Sequence, residues 1–501
     1  MKSTFYIISL ILFLILNTES NAQTTPLLFP ENHLDLKNPI RYEVLKQFGE
    51  QAQQVNFIDF TIEGKTIQDR SLFLFHIYRG TQPSKWKVFF FAQQHGNEPA
   101  GKDALIYLIH QIIKKPQLLP EDVELWLMPM VNPDGAENNQ RRNGNDFDLN
   151  RDHQLLSQPE TQTLHRMFRK IMPNISVDCH EFSRDSKEYD EKGWLEWPLI
   201  MMGCANNPLF SSGIFEKGIR WCEDAKPYMR QKGHNYTRYY LGGIPPQDEL
   251  RYSAPDVDDA RNGLGAYGGL SFIIESGVKY NAEDPNADLR KRVDAYLILF
   301  KQFLYKNKYR ESDLEAIKQS RTAKLPDFIP TNYLWANNGP KTTQIKVIEK
   351  STGKVIKIPT ANFMQDLVIK NSVPSPKGYA ISKEHVEIFK TLLDRHAISY
   401  KVMIEKKFFK AERCKLIKYE DFRDRLYNRY AGRQIVRSDT VLEKEFEIGS
   451  IYIELNNING KRAALLLEPL QLYGLYQYQD FRNIIDEDKV LPVWRVLGNN
   501  R

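Results

Sequence analysis

Four cysteines in 501 residues, at positions 179, 204, 222 and 414, are too few for a disulfide scaffold. None stands in a Cys-x-x-Cys pair, so a structural zinc ribbon is not indicated. Cys204 and Cys222 remain a candidate pair that spacing alone cannot establish. Excess charge is also scarce. Lys and Arg number 69 against 63 Asp and Glu, a net of +6 with no basic tract, and nucleic acid is not an expected partner. No segment beyond the N-terminus is long and apolar enough to span a bilayer, so stable membrane insertion is not expected. There is no internal repeat and no low-complexity stretch.

What the chain has is globular material: 42% hydrophobic, 26% charged and 12% aromatic residues. Its length exceeds one compact core, and two folded regions are expected. Residues 1–22 read as a signal peptide. Lys2 supplies the charge, Phe5 to Leu16 the apolar run, and Ser20-Asn21-Ala22 the cleavage site. The run is about half of the roughly 20 residues a spanning helix needs. No cysteine follows it to accept a lipid. The expectation is an exported protein, periplasmic or secreted.

From about residue 40 to 310, short apolar runs alternate with helical patterns. Lys87 to Gln94, Val123 to Val131, Ile175 to Cys179 and Leu270 to Ile274 read as buried strands. Pro99 to Lys114, Glu160 to Ile171 and Asp288 to Tyr305 read as helices. This alternation predicts an α/β fold with a central mixed, largely parallel sheet flanked by helices over residues 23–310. A charged stretch at 311–330 reads as a linker. Residues 331–501 read as a separate, smaller β-rich or α+β domain, with a hairpin signal around Ser351-Thr352-Gly353-Lys354.

The chemistry gathers at strand ends. His95-Gly96-Asn97-Glu98 follows the first buried strand, and His180 closes Val177-Asp178-Cys179-His180. Zinc favours imidazole nitrogen and carboxylate oxygen, and a catalytic site uses three such ligands with one position left open. Alone, His-x-x-Glu describes any solvated turn with a capping carboxylate. Glu275 ends a third buried strand, and in open α/β sheets sites form beyond the carboxyl ends of strands. Asp178 is close enough to His180 to orient its ring. Between these elements RRNGNDFDLNRD, residues 141–152, places Arg142, Asn150 and Arg151 on a polar turn. Arginine's planar fork suits a carboxylate or a developing oxyanion.

The set HGNE, NPDG, RRNGNDFDLNRD, DCHEF and FIIESG, in that order over roughly residues 85–280, resembles the zinc metallocarboxypeptidase family, the funnelins. The resemblance implies one zinc ion held by His95, Glu98 and His180, with Glu275 as general base and acid. It implies Arg142 as the oxyanion partner, with Arg141 as the competing choice because spacing to Asn150 varies. Asn150 and Arg151 would grip the terminal carboxylate of a peptide or protein substrate. Tyr252 has the spacing of the family's mobile tyrosine, and Tyr267 is a second choice. Arg261 has two readings, a contact to an additional acidic group of the substrate or an ion pair with Asp258 or Asp259. The C-terminal stretches PKGYAISKEHVEIFKTLLDRHAISY and GKRAALLLEPLQLYGLYQYQDF look similar to extensions on bacterial members. The same residues also leave room for a cell-wall peptide carboxypeptidase, a zinc amide or ester deacylase, or a binding protein without catalysis.

Overall fold

The computed structural model describes residues 38–279, 286, 288–305, 310–420, 433–457 and 459–499. The expected signal peptide, residues 1–22, lies outside them. The main sheet has eight strands, named here in chain order: β1 (Ile58–Lys65), β2 (Ser71–Ile77), β3 (Trp86–Ala92), β4 (Val123–Met128), β5 (Ile175–Ser183), β6 (Ile200–Cys204), β7 (Tyr236–Arg238) and β8 (Leu270–Val278). Their spatial order is β1-β2-β4-β3-β5-β8-β6-β7. The central strands β4, β3, β5 and β8 pair in parallel, and antiparallel pairing enters at β1–β2, β2–β4 and β6–β8. The mixed, largely parallel sheet expected from the sequence is therefore present.

Strand β3 shows why these residues form a doubly covered sheet. In WKVFFFA, Val88, Phe90 and Ala92 point into one core, and Phe89 and Phe91 point into the other. A strand buried on both faces must be apolar throughout. The first core is covered by α1 (Tyr42–Ala52), α2 (Ala100–Lys114), α4 (Ser212–Gln231) and α5 (Leu289–Tyr305). The second is covered by α3 (Pro159–Ile171) and the short helix Ala260–Gly265. Gly101 lets α2 lie directly on β5, because a Cβ there would come within 2.5 Å of the Cys179 Cβ. All four cysteines are buried free thiols, and Cys204 and Cys222 share a hydrogen bond rather than a disulfide. Among the described residues no helix is long and apolar enough to cross a membrane.

Two boundaries differ from the sequence reading. The stretch expected as a linker holds helix α6 (Arg310–Thr322). It is charged on its exposed face, but Ile317 enters the first core and buried Asp313 accepts from Trp221 Nε1 at 3.0 Å. The region beyond is not separate either. Strand Thr343–Glu349 pairs with Trp194–Glu196, and Phe363–Met364 pairs in parallel with Leu250–Tyr252. The expected hairpin is present, with Thr343–Glu349 antiparallel to Val355–Thr360. Only then does a six-stranded sheet begin, in the order Lys401–Val402, Ile451–Glu454, Gly378–Ile381, Val493–Asn499, Lys407–Glu420 and Arg433–Phe446. Its core includes Tyr379, Phe389, Leu393, Ile453 and Val493, together with Leu155 from the first region. The aromatic run at Tyr473–Tyr478 packs at this seam, where the Tyr478 hydroxyl bonds Gln154 Oε1 at 3.1 Å.

Glu160, in the first turn of α3, anchors the polar turn that leads to Asn150. Its Oε2 accepts from Asn143 Nδ2 at 3.2 Å, and its Oε1 has no partner among the described residues. Burial pushes its pKa up from 4.5 to about 7. The unfolded chain therefore releases this proton at a lower pH than the folded one does, and stability falls as pH rises between about 4.5 and 7. Glu160→Gln removes that loss. At pH 8 the variant should exceed the parent in stability by about 2–3 kcal/mol, and at pH 4.5 the two should agree within about 0.5 kcal/mol, as read by urea unfolding at both pH values.

Candidate metal centre

The centre is built where β3 and β5 leave the sheet. Strand β3 ends at Ala92, and Gln93 takes a left-handed backbone, φ 58°, that swings His95 out of the sheet. Gly96 is required next. A Cβ there would sit 2.1 Å from the Gly135 carbonyl carbon and 2.5 Å from Gln140 O, so only glycine lets this turn nest against the turn at 132–140. The turn delivers Glu98 to the start of α2. His180 lies on β5, directly opposite Glu275 on the adjacent parallel strand β8.

One donor atom from each of His95, Glu98 and His180 lies within 4.8 Å of the others. His95 Nδ1 is 2.8 Å from Glu98 Oε1, and His180 Nδ1 is 3.0 Å from Glu98 Oε2. The two Nδ1 atoms are 3.0 Å apart. The far side of each ring is held by a carboxylate. His95 Nε2 lies 3.1 Å from Asp148 Oδ1, and His180 Nε2 lies 2.7 Å from Asp178 Oδ2. These partners place the ring protons on Nε2, so two Nδ1 lone pairs and two carboxylate oxygens face each other. Such a group of acceptors, almost wholly buried, calls for positive charge.

The titration of the cluster says the same. Burial opposes charge on His180, yet Asp178 and Glu98 hold its pKa well above the ordinary value. Burial would raise the Glu98 carboxyl, but His95 and His180 pull it down. Two imidazoles and one carboxylate, each ring backed by a second carboxylate, are a zinc donor set, and the residues present fit that ion.

Around the cluster, Glu275 is buried and its carboxyl makes no side-chain hydrogen bond among the described residues. Burial above all, aided by Glu98 and opposed by His180, His95 and Arg141, raises its pKa to about 7. Asn150 is brought to the centre: its Nδ2 lies 3.2 Å from His180 Nε2, and its Oδ1 accepts from Ala260 N at 2.8 Å. Arg151 is half-buried beside it and donates to the Asn150 carbonyl at 2.7 Å.

Three expected site residues are placed differently. Arg142 turns outward to the Asp146 carbonyl at 2.8 Å, and the guanidinium at the cluster belongs to Arg141. Arg141 donates to Asp148 Oδ2 at 3.1 Å and to Glu98 Oε1 at 3.3 Å, because Gly96 N binds its carbonyl and sets the turn. Tyr252 lies away from the cluster, under Arg238 at 3.7 Å and against Phe363, in a separate cavity of about 460 Å³. The tyrosine that shares the electrostatic field of Glu275, Arg261 and Arg151 is Tyr239, whose phenol burial pushes well up. Arg261 is buried and pairs with Asp259 at 2.8 Å, the second of its two readings. Tyr267 is likewise outside the cluster and bonds His165 Nδ1 at 3.2 Å.

Two further residues carry the site without a sequence signal of their own. Asp148 joins His95 to Arg141. Burial would raise its carboxyl, but His95, Arg141 and Arg151 hold it well below the usual range. Gln94 donates to Asp178 Oδ2 at 2.8 Å and accepts from His153 Nε2 at 2.8 Å. From there a buried chain runs from His153 to His165 at 2.9 Å and on to Tyr267.

A buried His-Glu-His donor set fit for zinc thus stands at the carboxyl edge of a mixed α/β sheet. Residues 42–193 match the family model for zinc carboxypeptidase. Carboxypeptidase 2 of Trichophyton rubrum is 31% identical over 198 residues, covering 38% of this chain and 37% of that relative. Carboxypeptidase D of Homo sapiens is 33% identical over 142 residues, covering 23% of this chain and 10% of that relative. The chain thus spans little more than a third of the length of the Trichophyton relative and a tenth of the human one. A solved metallo-carboxypeptidase from Pseudomonas aeruginosa aligns with a TM-score of 0.42 and 22% identity, covering 55% of this chain and 70% of that one.

The carboxylate behind His180 gives a direct test. Asp178→Asn should weaken zinc affinity roughly 10- to 100-fold, measured by competition with a chromophoric chelator, while the folded baseline in circular dichroism stays unchanged. Unaltered affinity would remove Asp178 from the centre.

Proposed function

We propose that the protein is an exported zinc carboxypeptidase that hydrolyses the last peptide bond of a peptide or protein. The observation that carries this reading is the register of β5 and β8. It sets Glu275, whose carboxyl has no side-chain hydrogen bond among the described residues, opposite His180 and beside a donor set fit for zinc.

His95, Glu98 and His180 would hold one zinc ion, which supplies a Lewis acid and makes water acidic near neutral pH. Glu275, with a pKa near 7, is matched to take a proton from the attacking water and return it to the leaving amine nitrogen. Arg141 is the guanidinium placed to meet negative charge growing on the carbonyl oxygen, and Asp148 fixes its fork. Arg151 is the group best placed to reward a free α-carboxylate, which would make the enzyme an exopeptidase. Asn150 joins this recognition while tying the turn to the Ala260 backbone. Tyr239 replaces Tyr252 as the nearby phenol. Arg261, enclosed with Asp259, shapes the 254–262 loop. The signal-like residues 1–22 support export to the periplasm or medium.

The test is mass spectrometry of a mixed peptide library, including cell-wall peptides with D-residues, incubated with the zinc-loaded protein. Stepwise loss of C-terminal residues is expected, lost with a chelator and in Glu275→Gln. Cleavage of cell-wall peptides alone would move the substrate, and no cleavage of any free-carboxylate peptide would overturn the proposal. The two arginines separate cleanly. Arg141→Met should lower kcat/KM by roughly 100- to 1,000-fold, and Arg142→Met by less than about threefold. Equal losses in both variants would contradict the placement of Arg141.

A further inference from the structure

A second cavity, of about 270 Å³, opens at the seam between the sheet domain and the C-terminal region. Beside apolar residues such as Phe210, its lining includes the polar side chains of Arg169 in α3, Ser320 and Arg321 at the end of α6, Lys461 and Arg462 at the start of the helix Gly460–Leu467, and Tyr267. Four of these six side chains are cations, and no Asp or Glu lines the space. Their contacts among the described residues are all to neutral groups. Arg169 and Arg462 both donate to the Tyr267 hydroxyl, at 3.3 Å and 3.2 Å, and Arg462 also stacks over that ring at 4.0 Å. Arg462 reaches Asn459 Oδ1 at 3.2 Å and the His396 carbonyl. Arg321 donates to the carbonyls of Met172 and Pro173, and its buried Nε has no partner.

Gathering half-buried cations with no counter-charge is unfavourable, because each loses part of its hydration and repels the others. Burial lowers the pKa of Arg321, Arg462 and Lys461, with no carboxylate to offset it. Three fully buried arginines elsewhere are ion-paired: Arg292 with Glu181, Arg261 with Asp259, and Arg495 with Glu468. The half-buried arginines of the seam cavity have no carboxylate partner among the described residues. Guanidinium groups with no carboxylate partner, lining one space of this size, suit the oxygens of a small multiply charged anion.

We propose that this cavity is a binding site for a small di- or polyanion, a phosphate ester or a polycarboxylate, separate from the metal centre. The bound anion joins the two regions of the chain across the seam. Arg169 and Arg321 contact it from one side, and Lys461 and Arg462 from the other.

The experiment is isothermal titration calorimetry of the zinc-loaded full chain with inorganic phosphate and, separately, with succinate, ionic strength being held constant with chloride. Saturable binding of one or both is expected. It should weaken at least tenfold in Lys461→Met, whose half-buried side chain makes no hydrogen bond in the structure, and further in Lys461→Met with Arg321→Gln. Phosphate binding alone would identify a phosphate ester site, and succinate binding alone a carboxylate site. A second readout separates ligand binding from support of the fold: without anion, the melting temperature of Lys461→Met should equal or exceed the parent's. No saturable binding of either anion, unchanged affinity in both variants, or a melting temperature lowered by Lys461→Met with no loss of affinity would overturn the proposal.

Discussion

Two buried carboxylate–imidazole bonds organise the part of this molecule that holds the candidate metal centre. Asp148 holds the outer nitrogen of His95, and Asp178 holds that of His180. Each bond fixes a tautomer and a ring plane in a place water scarcely reaches, and a polar group there is costly unless bonded. With both outer nitrogens committed, the inner nitrogens have nowhere to point but at each other and at Glu98. The turn containing Gly96, the junction of Glu98 with α2 and the seating of Arg141 follow from satisfying that arrangement. Arg141 is drawn in because Asp148 has a second oxygen to share.

The constraint extends outward through neutral groups. Asp178 is also bonded by Gln94, Gln94 by His153, and His153 by His165. Burial holds His153 near a pKa of about 3 and His165 well below its ordinary value, so these rings carry hydrogen bonds rather than charge at working pH. The chain ends at Tyr267, which Arg462 of the C-terminal region covers. His396 meets the Gln154 carbonyl at 2.9 Å along the same seam. The C-terminal region is thus packed against the support of the metal centre, and its strands Thr343–Glu349 and Phe363–Met364 join it to Trp194–Glu196 and Leu250–Tyr252 as well.

Much of this was legible in the sequence where periodicity and strand ends carry the information. Buried strands declare themselves by apolar runs such as VFFFA and FII, and polar side chains at or just beyond the end of such a run inherit its position. His95, Glu98, His180 and Glu275 were readable for that reason. Arg141 and Arg142 were not separable, since adjacent residues on a turn point oppositely and only the Gly96–Arg141 backbone bond decides which faces inward. Tyr252 matched by spacing along the chain, while the phenol that feels the charge of Glu275 is Tyr239, which follows β7. The stretch at 311–330 has the charge of a linker, and the few apolar residues that dock α6 become visible only against α4. Asp148 and Gln94 work through partners distant in sequence, which composition and local pattern do not report.

The central claim is that the convergent nitrogens and oxygens of His95, Glu98 and His180 form a metal site. Crystals of the purified protein, with anomalous data collected on both sides of the zinc absorption edge, test it most directly. One peak bounded by the two Nδ1 atoms and the Glu98 carboxylate, with Asp148 and Asp178 still on the outer nitrogens, is the predicted result. No peak from zinc-supplemented crystals, with Glu98 hydrogen-bonded to both imidazoles, would contradict the account.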